Sequence, residues 1–199
     1  MLSDDESSPS VEHHTPWRRA QTLEDLCDLT AKWLEGELPY YPGNAVVVGP
    51  DPETSGLISD LAAINRAGLM TDFSQPGLDR PGHRQRAALN GLCSEAVANA
   101  IESACETTDL VCLRTAVSES LWLNIPITEW NGEVSTWTGR SLPPEDLVIM
   151  RAASYSSAAM AAVVSAEDVT VFDAAWGRND LLWATVRTAL ENFAARAPI

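Results

Sequence analysis

The chain has 199 residues, of which 45% are hydrophobic and 21% charged, and a formal net charge of −15. That length fits one domain with a sizeable core, and no apolar run approaches the ~20 residues of a membrane-crossing helix. The acidic balance argues against a nucleic-acid partner and an anionic membrane surface, both of which call for a basic footprint.

Residues 1–16 are acidic, polar and almost free of apolar side chains. They lack the basic-then-apolar order of a signal peptide, so a cytoplasmic protein is expected. The stretch itself is expected to be a disordered tail ahead of a single α/β domain over 17–199. His13 and His14 have no third ligand at useful spacing and are expected to be solvated. Thr22, with Asp25 in the capping-box position, opens a first helix. Its Leu23, Leu26, Cys27, Trp33 and Leu34 recur at helical spacing, and Gly36 suits its end. Residues 39–43 predict a turn and 45–48 a short buried strand. Asp51 and Pro52 suit the start of a helix running to about Ala67, with Leu57, Ile58, Leu61 and Ile64 inward. One glycine beside the acids Asp51 and Glu53 does not make a phosphate loop.

Residues 65–86 gather Asn65, Arg66, Thr71, Asp72, Ser74, Gln75, His83, Arg84, Gln85 and Arg86 in a chain otherwise poor in polar clusters. Residues 69–73 predict a strand, and the following Ser74-Gln75-Pro76-Gly77 predicts an ordered loop. Polar groups bunched on a loop between regular elements are a usual way to build a site. Beyond it the pattern predicts a strand over 85–93, a helix over 95–106 capped by Ser94, and a buried strand over 110–113. Such alternation is the α/β signature. Residues 125–130 and 133–137 flank Asn131-Gly132, a strong hairpin signal, with Pro126 pointing to an edge strand. Residues 147–150 are apolar without clear periodicity, 153–165 predict a helix, 169–172 an extended segment, and 179–195 a final amphipathic helix. The fold expected is one α/β domain with a mixed central sheet, packed helices and one β-hairpin.

The motifs WLEG (33–36), NRAG (65–68), SQPG (74–77), QRA (85–87) and WGRNDLLW (176–183) occur together. On these the chain resembles a family of actinobacterial proteins described only as a domain of unknown function, over about residues 17–195. The resemblance implies the domain limits and a role for the 74–77 segment. It implies no activity.

Cys27, Cys93, Cys105 and Cys112 lie in apolar surroundings without CxxC spacing, which predicts buried, reduced thiols and no zinc site. A serine nucleophile would combine Ser74 with His83 and with Asp72 or Asp173 to orient the ring. No G-x-S-x-G elbow supports it, and Pro76-Gly77 works against an oxyanion hole on a helix, so hydrogen bonding of Ser74 and Gln75 to loop backbone is favoured. No metal or cofactor is expected. Arg66, Arg84 and Arg86 place three of the 13 basic residues near one loop. With Asn65 and Gln75 they could grip a carboxylate, phosphate or amide; ion pairs with Asp72 and Asp79 are the competing reading. Asp173 and Arg178 follow a predicted strand and would face the ligand crevice of a parallel sheet. Trp17, Trp33, Trp122 and Trp183 fall on apolar patterns and are expected in the core. Trp130 and Trp137 would either pack across the hairpin or offer an exposed aromatic surface.

Two functions follow. One is a protein that binds, with or without transforming it, a small polar or anionic metabolite at the 65–86 loop. The other is a non-enzymatic interaction factor, immunity- or antitoxin-like or an acidic inhibitor of a basic partner.

Overall fold

The computed structural model describes residues 9–42, 44, 46–141 and 143–196. In chain order its elements are α1 (Val11–Arg19), α2 (Leu23–Leu34), a 3-10 turn (Pro52–Leu57), α3 (Ile58–Arg66), β1 (Leu69–Gln75), β2 (Leu78–Arg80), β3 (His83–Gln85) and β4 (Ala88–Cys93). There follow α4 (Glu95–Cys105), β5 (Leu110–Ala116), β6 (Trp122–Trp130), β7 (Glu133–Arg140), α5 (Pro144–Arg151), α6 (Ser157–Val164), β8 (Glu167–Asp173) and α7 (Leu181–Ala194).

Local chemistry sets most of these boundaries. Thr22 Oγ1 accepts from the Asp25 amide at 3.0 Å while Asp25 Oδ2 accepts from the Thr22 amide at 3.1 Å, closing the capping box that starts α2. Asp51 Oδ1 accepts from the Glu53 amide at 3.2 Å at the head of the 3-10 turn, and α3 continues from it. Ser94 and Ser156 cap α4 and α6 in the same way. Asn131 and Gly132 both have positive φ, 51° and 85°, as the two-residue turn between β6 and β7 requires.

Two local expectations are corrected. Residues 11–16, read as tail, belong to α1, which is anchored because its Trp17 is fully buried and Arg18 donates twice to the Ala153 carbonyl. Residues 1–8 lie outside the described residues. The strand expected over 45–48 does not form at residues 46–48, whose backbone is irregular, and Ala45 lies outside the described residues. The Val48 carbonyl accepts from Trp33 Nε1 at 3.1 Å, so a side chain takes the place of a ladder partner.

The chain is a single α/β domain whose strands divide into two antiparallel sheets of four, ordered β1-β4-β8-β5 and β2-β3-β6-β7. No parallel pair occurs among the described strands, so Asp173 does not face the crevice of a parallel sheet.

The first sheet is buried on both faces. Leu69, Leu89, Cys93, Val169 and Val171 meet Leu61 and Ile64 of α3, Val97 and Ile101 of α4, and Val186 and Leu190 of α7. The opposite face has two covers. Met70 and Leu92 meet Trp17, Leu26, Leu147, Tyr155 and Val163 from α1, α2, α5, α6 and the segment between α5 and α6. Ala88 and Phe172 instead meet Ile127 of the second sheet. The helical cover and the second sheet therefore share one face, and a seam runs between them.

Candidate functional site

Strand alternation carries polar groups to that seam. In β8, Val169 and Val171 turn toward α3, α4 and α7, so Asp168 and Thr170 turn to the other face. Asn90 pairs with Thr170 across the ladder and shares that face. In β1 the register shifts between Thr71 and Phe73, leaving Asp72 as the extra residue of a β-bulge. A bulge re-aims side chains, and here both Asp72 and Phe73 reach the seam.

The seam encloses a cavity of about 230 Å³. Its floor is Met70, Asp72, Asn90, Leu92, Asp168 and Thr170 of the first sheet. Trp137, Thr138 and Arg140 of β7 close one side, and Leu147, Arg151, Tyr155 and Val163 close the other. A cavity of about 150 Å³ already takes benzene, so this one is large enough for a small metabolite.

Arg151 is 4% exposed and donates through Nη2 to Asp72 Oδ1, which also accepts from the Tyr41 hydroxyl at 2.8 Å. Its guanidinium lies 5.2 Å from the centre of the Tyr41 ring. Burial works against the Arg151 charge, but Tyr41 and Asp72 outweigh it and hold its pKa above the ordinary value. Two buried atoms of residues on this wall, Arg151 Nη1 and the Tyr155 hydroxyl, have no hydrogen-bond partner among the described residues. Leaving a buried donor unpaired costs about 1–3 kcal/mol, so such atoms call for an explanation. Burial pushes the Tyr155 hydroxyl up to about 12, so it stays protonated and able to donate.

Asp168 holds the other side of the floor. Its Oδ1 accepts from Asn90 Nδ2 at 2.6 Å, and that amide also lies 3.0 Å from Thr170 Oγ1. Burial pushes the Asp168 carboxyl up to about 6, against the Asn90 hydrogen bond and with a small push from Asp72. A carboxyl poised near neutrality in a cavity is a group that can exchange a proton. A shallower groove of about 660 Å³ runs along the outer side of β1 and shares Asp72 and Phe73 with the cavity. Its charged residues are all acids, Asp51, Glu53 and Asp72, so it lacks opposed poles.

Of the residues singled out from sequence, only Asp72 and Trp137 line the cavity. The 65–86 residues are not all brought to one pocket, and several of them have structural partners elsewhere. Asn65 is fully buried and ties α3 to β1, donating to the Leu61 carbonyl and Thr71 Oγ1 at 2.8 Å each and accepting from the Thr71 amide at 3.0 Å. Arg66 makes a two-pronged ion pair with Glu35. Arg84 pairs with Glu129 at 2.8 Å, and Arg84 and Arg86 each lie 4.6 Å from the centre of the Trp176 ring. Ser74 lies in β1 and lines the outer groove, whereas His83 lies in β3 of the other sheet against Trp130, so no serine–histidine pair forms. Asp173 is fully buried and paired with Arg178 at 2.6 and 2.7 Å, which also holds Asp109.

The 74–77 segment is a joint. Gln75 donates to the carbonyls of Arg86 and Ile127 at 2.9 and 3.0 Å and accepts from Thr128 Oγ1, tying β1 to the second sheet. The Gly77 amide donates to Asn179 Oδ1 at 2.8 Å, and the Gly177 amide to the Gln85 carbonyl at 2.9 Å. A Cβ on Gly77 would stand 2.2 Å from the Arg178 carbonyl oxygen. The segments SQPG, QRA and WGRND thus lock together.

Trp122 departs from expectation: it is 66% exposed, stacked under Arg140 rather than in the core. Trp130 is also exposed and packs on His83. Sequence reading missed Arg151, Tyr155, Asp168, Asn90 and Thr170. The available signal was an alternation of polar and apolar residues in β8 and a lone asparagine inside the apolar run of β4.

Among the described residues no cluster of three His, Cys, Asp or Glu side chains could hold a metal ion, and no helix is long and apolar enough to cross a membrane. The chain belongs to the family described as Domain of unknown function (DUF6919), which matches residues 12–193. No curated protein matches it significantly.

Proposed function

We propose that this protein binds a small polar metabolite in the seam cavity, to which the 65–86 segment contributes Met70, Asp72 and Phe73. The observation that carries the reading is that Arg151 and Tyr155, which line a cavity of about 230 Å³, each hold a buried polar atom, Nη1 and the hydroxyl, with no hydrogen-bond partner among the described residues. A carboxylate or similar acceptor would satisfy both atoms, and recognition by such groups in a mostly apolar cavity is the usual design of a metabolite site. Asp168 across the floor adds a group able to exchange a proton with the bound molecule.

Native mass spectrometry of protein purified without added ligand tests this. The expected result is a retained small-molecule mass that Tyr155→Phe reduces and that Ser74→Ala with Arg84→Ala leaves intact. Loss of the adduct in the double variant alone would move the site back to the 65–86 segment. A clean apo mass, with no melting shift in a screen of small carboxylates, would overturn the reading.

The competing interaction factor draws support from the exposure of Trp122, Trp130 and Ile149, at 66%, 56% and 76%. It would be favoured by salt-sensitive capture of a basic protein that Trp130→Ala abolishes.

A further inference from the structure

We infer that the cavity is built for a compact zwitterion of the α-amino-acid type, with its carboxylate at Arg151 and Tyr155 and its ammonium at Asp168. This rests on the reading of the cavity as a metabolite site and adds the class of ligand. Three observations carry it.

The first is charge. The charged residues on the cavity wall are Asp72, Asp168, Arg140 and Arg151, two of each sign. Arg151 already holds Asp72. At Arg151 a simple anion would meet an already paired guanidinium and face Asp168 across the floor, which repels it. A zwitterion brings no net charge and presents each pole to its complement.

The second is unused bonding capacity at both poles. Arg151 Nη1 and the Tyr155 hydroxyl have donors to give. Of the Asp168 carboxylate only Oδ1 has a protein partner among the described residues, Asn90 Nδ2, so Oδ2 has room to accept. Thr170 Oγ1 lies beside it as a further acceptor.

The third is spacing. Arg151 sits on Asp72 of β1, while Asp168 belongs to β8, two strands away in the order β1-β4-β8. Neighbouring strands lie about 4.8 Å apart, so the backbones of β1 and β8 are separated by about 10 Å across the floor. In an α-amino acid the ammonium nitrogen and carboxyl carbon are joined through two bonds of about 1.5 Å each. Adding a charge-assisted hydrogen bond of about 2.8 Å at each end spans most of that gap. A lone ion would meet one pole only. Met70, Leu92, Val117, Leu147 and Val163 supply an apolar surround for a hydrocarbon side chain.

The test is calorimetric titration of the full chain at pH 7.5 with two matched probe sets. One is phenylalanine, 3-phenylpropanoate and 2-phenylethylamine; the other is leucine, 4-methylpentanoate and 3-methylbutylamine. Within each set the hydrocarbon frame is kept and the two charges are removed one at a time. In at least one set the amino acid should bind tenfold or more tightly than either singly charged analogue. Asp168→Asn should cut its advantage over the carboxylate to about twofold, and Tyr155→Phe should weaken the amino acid and the carboxylate alike. Equal binding of carboxylate and amino acid would overturn the zwitterion while leaving a metabolite site in place. Failure of every probe with protein that carries a native adduct has the same meaning. Failure of every probe with protein that carries no adduct would overturn both.

Discussion

The substitution Asp168→Asn should make the protein more stable and the cavity less competent. The amide keeps the shape of the carboxylate and can still accept from Asn90 Nδ2, but it carries no charge. Burial holds the native carboxyl at about 6 against an ordinary value of 3.8. A native pKa above the unfolded one means that the folded protein binds the proton more tightly. Stability from this group is therefore greatest in acid and is lost as pH rises from about 4 to about 6. The gap corresponds to about 3 kcal/mol once the carboxylate is fully ionised, an upper bound because the cavity side of Asp168 can hold water. Removing the charge should stabilise by up to that amount at pH 7.5, at about 2–4 °C in Tm per kcal/mol for a chain of this size. At pH 4.5 the gain should shrink to about one-third. Urea unfolding followed by tryptophan fluorescence at the two pH values measures it. An equal effect at both pH values, or destabilisation at pH 7.5, would show that Asp168 is not held in its charged form at a penalty.

Two further substitutions test the joint beneath the cavity. Gly77→Ala places a Cβ 2.2 Å from the Arg178 carbonyl oxygen and should destabilise by about 2 kcal/mol or more, whereas Gly56→Ala meets nothing within 4 Å and should stay within about 0.5 kcal/mol of the parent. Similar urea midpoints for the two would refute the close packing. Arg178→Ala leaves the fully buried Asp173 with only the Ala175 amide at 2.8 Å and should lower the midpoint well beyond Arg66→Ala, whose ion pair with Glu35 is largely exposed. The reverse ranking would refute that weighting.

The legible parts of the fold were those set by local chemistry. The capping box at Thr22, the Asn131-Gly132 turn and the caps at Ser94 and Asp51 depend on neighbours within four residues, and each is where the sequence places it. The partition into two antiparallel sheets depends on which distant segments pair, and short apolar runs carry no sign of direction. Trp122 shows the same limit. It falls on an apolar pattern, yet it sits on the outward face of β6, where Arg140 covers it by stacking. The two faces of a hairpin differ by a single residue of register.

The choice of candidate site residues meets a related limit. Polar residues close in sequence drew attention to 65–86, but closeness along the chain makes local partners cheap to find. Asn65 meets Thr71, Asp79 stands opposite Arg84 in the β2–β3 ladder, and Gln75 reaches the backbone of Arg86. Groups satisfied in this way hold the fold, although Arg86 Nε is buried with no hydrogen-bond partner among the described residues. The cavity groups lie far apart in sequence, at 72, 90, 151, 155, 168 and 170. There Arg151 Nη1 and the Tyr155 hydroxyl have no partner among the described residues, and burial raises the Asp168 pKa. The two regions are still mechanically joined. Gln75 ties β1 to the second sheet only a few residues beyond the bulge at Asp72, and the second sheet supplies Trp137 to the cavity wall. The SQPG joint therefore sets the width of the seam, and damage to it should reach the cavity without any of its residues touching a ligand.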